Sequence, residues 1–247
     1  MADETRSDVK INGDGSLSGG TYGAVTINGA GTVNGDIDCT DYRVNGAGTH
    51  NGKLLAQTIT INGTGTFNGE VQANELNVNG DMSVRDGIGV GKVSIKGNAS
   101  FGGSIASHEV IVRGFMKTGG DCQSEAFDCE GAFTVAGLLN AGTVDIKLYG
   151  PSSAREIGGE KIIVRQPSGG GLSSLTQIFT FWAEKRLTAD SIEGDDVALE
   201  LTTAKTVRGR NITIGEGCRV DLVEYSGTYV AAPGATVGEA RQVTPAG

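Results

Sequence analysis

Glycine returns in this chain at a fixed step, and that rhythm limits the possible folds more than any other feature. Gly13 is followed after sixteen residues by Gly29, and then at steps of seventeen by Gly46, Gly63, Gly80, Gly97, Gly114 and Gly131. A second series trails the first by about six residues: Gly19, Gly35, Gly52, Gly69, Gly87 beside Asp86, Gly103, Gly120 and Gly137. Apolar residues keep the same register. Two positions before the first Gly stand Ile11, Ile27, Val44, Ile61, Val78, Ile95, Val112 and Cys129. Four after it stand Leu17, Val33, His50, Phe67, Val84, Phe101, Thr118 and Val135, and eight after it Thr21, Ile37, Leu54, Val71, Ile88, Ile105, Cys122 and Leu139. Each unit thus holds three short alternating patches separated by Gly-centred corners. Alternation over three to five residues is the strand signature, and a fixed period of this kind marks a repeat architecture.

The spacing predicts an all-β fold: a parallel β-helix, or β-solenoid, with three strands per coil of about seventeen residues. Each strand pairs in parallel with its equivalent one coil away, at roughly 4.8 Å. Inward side chains stack into ladders of like residues. The Gly positions are read as corners where the chain turns sharply or needs a positive φ. Composition agrees: 41 of 247 residues are Gly, only 4 are Pro, and aromatics make up 5%. Collagen needs Gly at every third position with abundant Pro. A helical protein would lose about 1 kcal/mol at each interior Gly. The scarcity of aromatics is read as a narrow core.

The residue before the first Gly is Asn in five successive units: Asn12, Asn28, Asn45, Asn62 and Asn79. Two roles fit. The amides can hydrogen-bond along the axis, or each Asn can favour the turn beside its Gly. Two residues after the first Gly, Gly15, Gly31, Gly48 and Gly65 give way to Met82, Ala99, Met116 and Phe133. That change predicts a corner that is empty at first and filled from the fifth coil onward.

The chain is expected to divide into a disordered tail over 1–8, a regular β-helix over 9–164, a Gly-rich and amphipathic insertion over 165–190, shorter coils over 191–230 and a flexible tail over 231–247. Leu172, Leu175, Phe179 and Trp182 stand at helical spacing and predict a short helix near 172–186. The aromatic cluster there makes Leu175, Phe179, Phe181 and Trp182 candidates for contact with a protein partner or a membrane surface. Beyond it the period shortens to fifteen: Ile192, Val207 and Leu222 correspond, as do Val197 with Ile212, and Leu199 with Ile214 and Tyr229.

Little in the chain suggests chemistry. The run Gly29-Ala-Gly31-Thr-Val-Asn-Gly35 has one residue too many for a dinucleotide fingerprint and recurs at the solenoid period. The densest acidic group is Glu193, Asp195, Asp196 and Glu200, read as a solvated edge rather than a catalytic carboxylate pair. Ile212 to Val220 resembles one hexapeptide-type acyltransferase unit, in a single copy. Two His, His50 and His108, leave little material for a metal or catalytic site. No catalytic residue, cofactor or metal is assigned. The net charge of −9 argues against a nucleic-acid partner. Cys39, Cys122, Cys129 and Cys218 lie far apart without CxxC pairs and are read as reduced, buried residues of a cytoplasmic protein. Met1–Lys10 is polar and shows no signal segment.

A solenoid exposes unpaired strand edges and an apolar cross-section at each end. Val9, Ile11 and Leu17 are candidates for self-association at the first end, and Val220, Leu222, Val223 and Tyr225 at the other. The stretches Val25-Thr-Ile27-Asn-Gly29-Ala-Gly31-Thr-Val33-Asn-Gly35 and Ile59-Thr-Ile61-Asn-Gly63-Thr-Gly65-Thr-Phe67-Asn-Gly69-Glu-Val71 resemble the coils of bactofilins, bacterial polymer-forming cytoskeletal proteins. The resemblance covers Val9 to about Lys147 and, weakly, Ser191 to Tyr229. It implies a right-handed, three-faced β-helix that assembles end to end into filaments without nucleotide, and a cytoplasmic scaffold near the membrane. The first functional reading is therefore a non-enzymatic, self-associating scaffold. A second is an oligomeric adaptor that recruits a partner through the aromatic insertion. A third is a carbohydrate-active enzyme or acyltransferase on a β-helix.

Overall fold

The computed structural model describes residues 6–167 and 185–244. They form an all-β parallel solenoid, in two compact units, Met1–Gln123 and Ser124–Gly247. The expected helix near 172–186, with Leu175, Phe179, Phe181 and Trp182, lies outside the described residues.

The first unit stacks seven coils, each with three faces. The first face runs Val9–Ile11, then 25–27, 42–44, 59–61, 76–78, 93–95 and 110–112, in parallel register throughout. The second face runs from Gly15–Leu17 through Gly31–Val33 to Met116–Thr118. The third carries the ladder Ile37, Leu54, Val71, Ile88, Ile105 and Cys122. Inward positions are sealed: Ile27, Val33, Leu54, Ile59, Val71 and Val93 are each 0% exposed. In the first coil the ladder partner of Ile37 is Gly20, not Thr21, which pairs with Asp38. The sixteen-residue first step causes the shift. Its missing residue falls between Ser18 and Gly20, where the pairing slips by one.

The first Gly series has a different cause from the one its spacing suggests. Among the described residues only Gly35, Gly52 and Gly217 have positive φ among glycines. A Cβ on Gly46 would overlap the carbonyl oxygen of Gly29 in the coil below, and the same holds for Gly63 over Gly46, Gly80 over Gly63, Gly97 over Gly80 and Gly114 over Gly97. This corner is a place where successive backbones touch, and only Gly lets them.

The Asn ladder is amide to amide. Asn28 Nδ2 donates to Asn12 Oδ1, Asn45 to Asn28, Asn62 to Asn45 and Asn79 to Asn62, each at 2.8 Å. A second ladder was not anticipated: Asn51 donates to Asn34 at 3.0 Å and Asn68 to Asn51 at 2.8 Å.

The core is not too narrow for rings. Tyr42, Phe67 and Phe101 in the first unit, and Phe127 and Phe133 in the second, are at most 1% exposed. Nor is the corner at Gly31 and Gly65 empty. A Cβ there would stand 2.8 Å from Ile27 Cγ2 and 2.9 Å from Phe67 Cε2 respectively. In these coils neighbouring side chains fill the space, while Met82, Ala99 and Met116 fill it later from their own positions and are buried.

In the second unit the chain continues as parallel coils. Ser152–Arg165 pairs with part of the preceding strand and with Leu187–Leu199, which pairs with Thr202–Ile214. The fifteen-residue period is kept there: Ile192 faces Val207, Val197 faces Ile212 and Leu199 faces Ile214. It then breaks. Val207 pairs with Val223 rather than Leu222, and Ile214 pairs with Ala231 rather than Tyr229. The corner from Gly215 to Cys218, with Gly217 at φ +71°, is one residue longer than the corner at Glu200 and Leu201. The segment expected to be a flexible tail is folded to Gln242: Thr236–Gln242 pairs with Arg219–Tyr225.

Candidate functional site

Backbone N–H and C=O groups line both edges of a strand, and stacking satisfies both edges only for interior coils. At the start of the first unit Val9–Ile11 pairs with Val25–Ile27 and Gly15–Leu17 with Gly31–Val33. Among the described residues nothing pairs with the opposite edge. Val9, Ile11 and Leu17 therefore share one open end. Ile11 keeps 8% exposure and Val9 and Leu17 are half-buried, whereas their partners Ile27, Val25 and Val33 are fully covered.

Two residues that the sequence reading passed over sharpen this end. Asn12 accepts from Asn28, while its own Nδ2 donates to none of the described residues. Gly13 begins the Gly ladder, yet a Cβ on it would meet nothing within 4 Å. Every later Gly of that series is required by the coil beneath it. Gly13 has no such coil in this chain. The residues before it cover a different corner: Ser7 O accepts from Gly23 N, Asp8 Oδ1 accepts from Ala24 N, and Arg6 pairs with Asp38 at 2.8 Å.

At the far end of the second unit the candidates are placed otherwise than expected. Val220 and Val223 are 2% and 0% exposed and lie beneath Thr236–Gln242, with Val237 over Val220 and Ala240 over Val223. Leu222 and Tyr225 are half-buried, and Tyr225 stacks on Tyr229 with ring centroids 5.2 Å apart. The open edge is one coil further on, with Val230 59% exposed. Glu224 pins this last coil. It accepts from Arg208 below and from Arg241 above, and these guanidiniums hold its carboxyl below the usual range.

Inside the first unit one polar residue interrupts the apolar ladder. His50, 1% exposed, lies between Tyr42 and Phe67. Its Nδ1 is 3.3 Å from Tyr42 Oη and its Nε2 is 3.3 Å from the Lys53 carbonyl oxygen. The Lys53 carbonyl can only accept, so Nε2 carries the proton and Nδ1 accepts from the phenol. Burial lowers the imidazole pKa. The ring is enclosed and presents no face to a substrate. All four cysteines are free and buried, and burial pushes the Cys39 and Cys122 thiols up to about 12.

The acidic group of the second unit is spent on structure at two of its four members. Asp196 accepts from Asn211 Nδ2 and Glu200 from Gln166 N, each at 2.8 Å. Glu193 and Asp195 edge an open groove of about 1170 Å³ that follows Gly159, Gly194 and Gly209, with Arg208 and Arg210 one coil on. Among the described residues no group of His, Cys, Asp and Glu is placed to hold a metal ion, and no helix is long and apolar enough to cross a membrane.

Comparison with known proteins agrees with the geometry. A family model described as "Bactofilin: Polymer-forming cytoskeletal" matches residues 3–87. The chain is 55% identical over 228 residues to a Bacillus subtilis (strain 168) protein described as "Uncharacterized protein YhbE", covering 92% of this chain and 94% of that one. It is 39% identical over 92 residues to "Uncharacterized protein YhbF" of the same organism, covering 36% of this chain and 34% of that one. No solved structure matches.

Proposed function

The chain belongs to the bactofilin family, and from that premise we propose that it is a structural scaffold that self-associates end to end into filaments without nucleotide. The observation that carries this reading is Gly13. The chain alone does not need Gly there, since a Cβ would meet nothing within 4 Å. A further coil laid on that end as the other coils are laid would need it. The unused amide donor of Asn12 and the part-exposed Val9, Ile11 and Leu17 support the same reading. So does physics: an uncovered strand edge over an apolar cross-section is a template for another chain. The free, buried state of the four cysteines supports residence in a reducing compartment, the cytoplasm.

Negative-stain electron microscopy of the purified protein without nucleotide tests the proposal, and filaments are the expected result. Ile11→Arg and Gly13→Val should each leave a folded chain that sediments as a small species. Filaments of undiminished length in both variants would sink the assignment to this end.

A further inference from the structure

The second face of the first unit is unlike the rest of the surface. In coils two to four its outward residues are Ala30, Ala47 and Thr64 in one column and Thr32, Thr49 and Thr66 in the next. None is charged and none is longer than Thr, in a chain of net charge −9. Asn ladders edge the face on both sides, with their amides already engaged. In coils five to seven the first column continues as Asp81, Asn98 and Phe115. Phe115 is 38% exposed, and a shallow trough of about 330 Å³ runs between the columns toward it.

We propose that this face is a lateral docking surface for the same face of a second copy, lying antiparallel. Two like-charged chains can abut only where neither presents charge to its equal. A two-fold axis between coils four and five pairs the small end of each face with the bulky end of the other, as an isologous contact requires. Phe115 then rests on Ala30, where the side chain is a single methyl. Asp81 meets the Thr64 hydroxyl, and Thr49 meets Ser100. No charged residue in these two columns faces a like charge.

Size decides when the contact forms. Six coils at about 4.8 Å and a face roughly 12 Å wide give on the order of 350 Å² per copy, below the ~800 Å² per partner of a stable interface. One pair of chains does not hold, but a row of such contacts along two filaments does, because each further contact forms at high effective concentration. The inference therefore rests on end-to-end assembly.

The test is a charge swap read by negative stain. Wild-type filaments should lie in pairs. Thr49→Glu buries an unmatched carboxylate and should give single filaments of normal length, and Ser100→Lys should do the same. The double variant T49E/S100K should restore pairing, because antiparallel docking sets each new carboxylate against the other chain's new ammonium. Within one chain the two positions are three coils apart, too far to pair with each other. Circular dichroism melts confirm that the outward substitutions leave the fold intact. Wild-type filaments that are always single, single variants that still pair, or a double variant that stays single overturn the docking surface. Absence of any wild-type filament overturns the end-to-end reading instead.

Discussion

A side chain on Gly46 would collide with the backbone of Gly29, seventeen residues earlier and one coil below, and would also stand 2.7 Å from the Asn28 carbonyl oxygen. Gly46 and Gly13 hold the same register position but differ in what lies beneath them. Gly46→Ala should lower stability by about 1–3 kcal/mol, the usual range for overpacking against atoms that cannot move. Gly13→Ala should change it by no more than a few tenths of a kcal/mol, since nothing lies within 4 Å. Thermal melts at a concentration where the chain is dispersed compare the two, and equal losses would contradict this account of the ladder.

Asn45 is the middle of the first amide ladder, donating to Asn28 and accepting from Asn62 at 2.8 Å each. Asn45→Ala removes two exposed side-chain hydrogen bonds, and a loss of about 1 kcal/mol is expected. Asn12→Ala removes one and should cost about half as much. Urea midpoints of the two variants provide the check, with Asn45→Ala the more labile.

Glu224 joins Arg208 to Arg241 and so ties Thr236–Gln242 to the coils before it. Glu224→Gln keeps the shape and removes the charge. Amide hydrogen exchange over 236–242 should then quicken while exchange at Ile192, Val197 and Val207 stays slow, because local opening of an end coil leaves the interior closed. Uniformly faster exchange through the second unit would contradict this role.

Much of the fold is legible in the chain because two signals share one period. Ile11, Ile27 and Val44 repeat in step with Gly13, Gly29 and Gly46, so strand, corner and coil length can be read together. What escapes is whatever depends on the coil below. The need for Gly46 is a contact with Gly29, and no local rule of turn chemistry contains it. The Asn34, Asn51 and Asn68 ladder was readable from its seventeen-residue step but sits where turn residues are common. Register fails where a corner changes length. At Val220-Asp-Leu222-Val223 apolar residues occupy both parities, so either Leu222 or Val223 could have faced Val207, and the longer corner at Gly215–Cys218 decides for Val223. The same extra coil explains why Val220 and Val223 are interior and not an end.

His50 makes the first unit sensitive to acid. Buried between Tyr42 and Phe67, its ring has a pKa lowered from 6.5 by desolvation. The unfolded chain, with an ordinary imidazole, therefore binds a proton more readily than the folded one below that value. Stability rises with pH wherever the unfolded state binds more protons. The contribution of neutral His50 is complete above about 6.5 and is lost as pH falls below it. The limiting slope is about 1.4 kcal/mol per pH unit for one proton, down to the folded-state pKa. A second proton on the ring would have to sit on Nδ1, which faces the phenol oxygen of Tyr42 at 3.3 Å and now accepts from it. His50→Phe continues the apolar ladder beside Phe67 and removes the titration. Melting temperatures of the wild type should fall between pH 7 and pH 5 more steeply than those of His50→Phe. Parallel pH curves for the two proteins would show that His50 is not the group responsible.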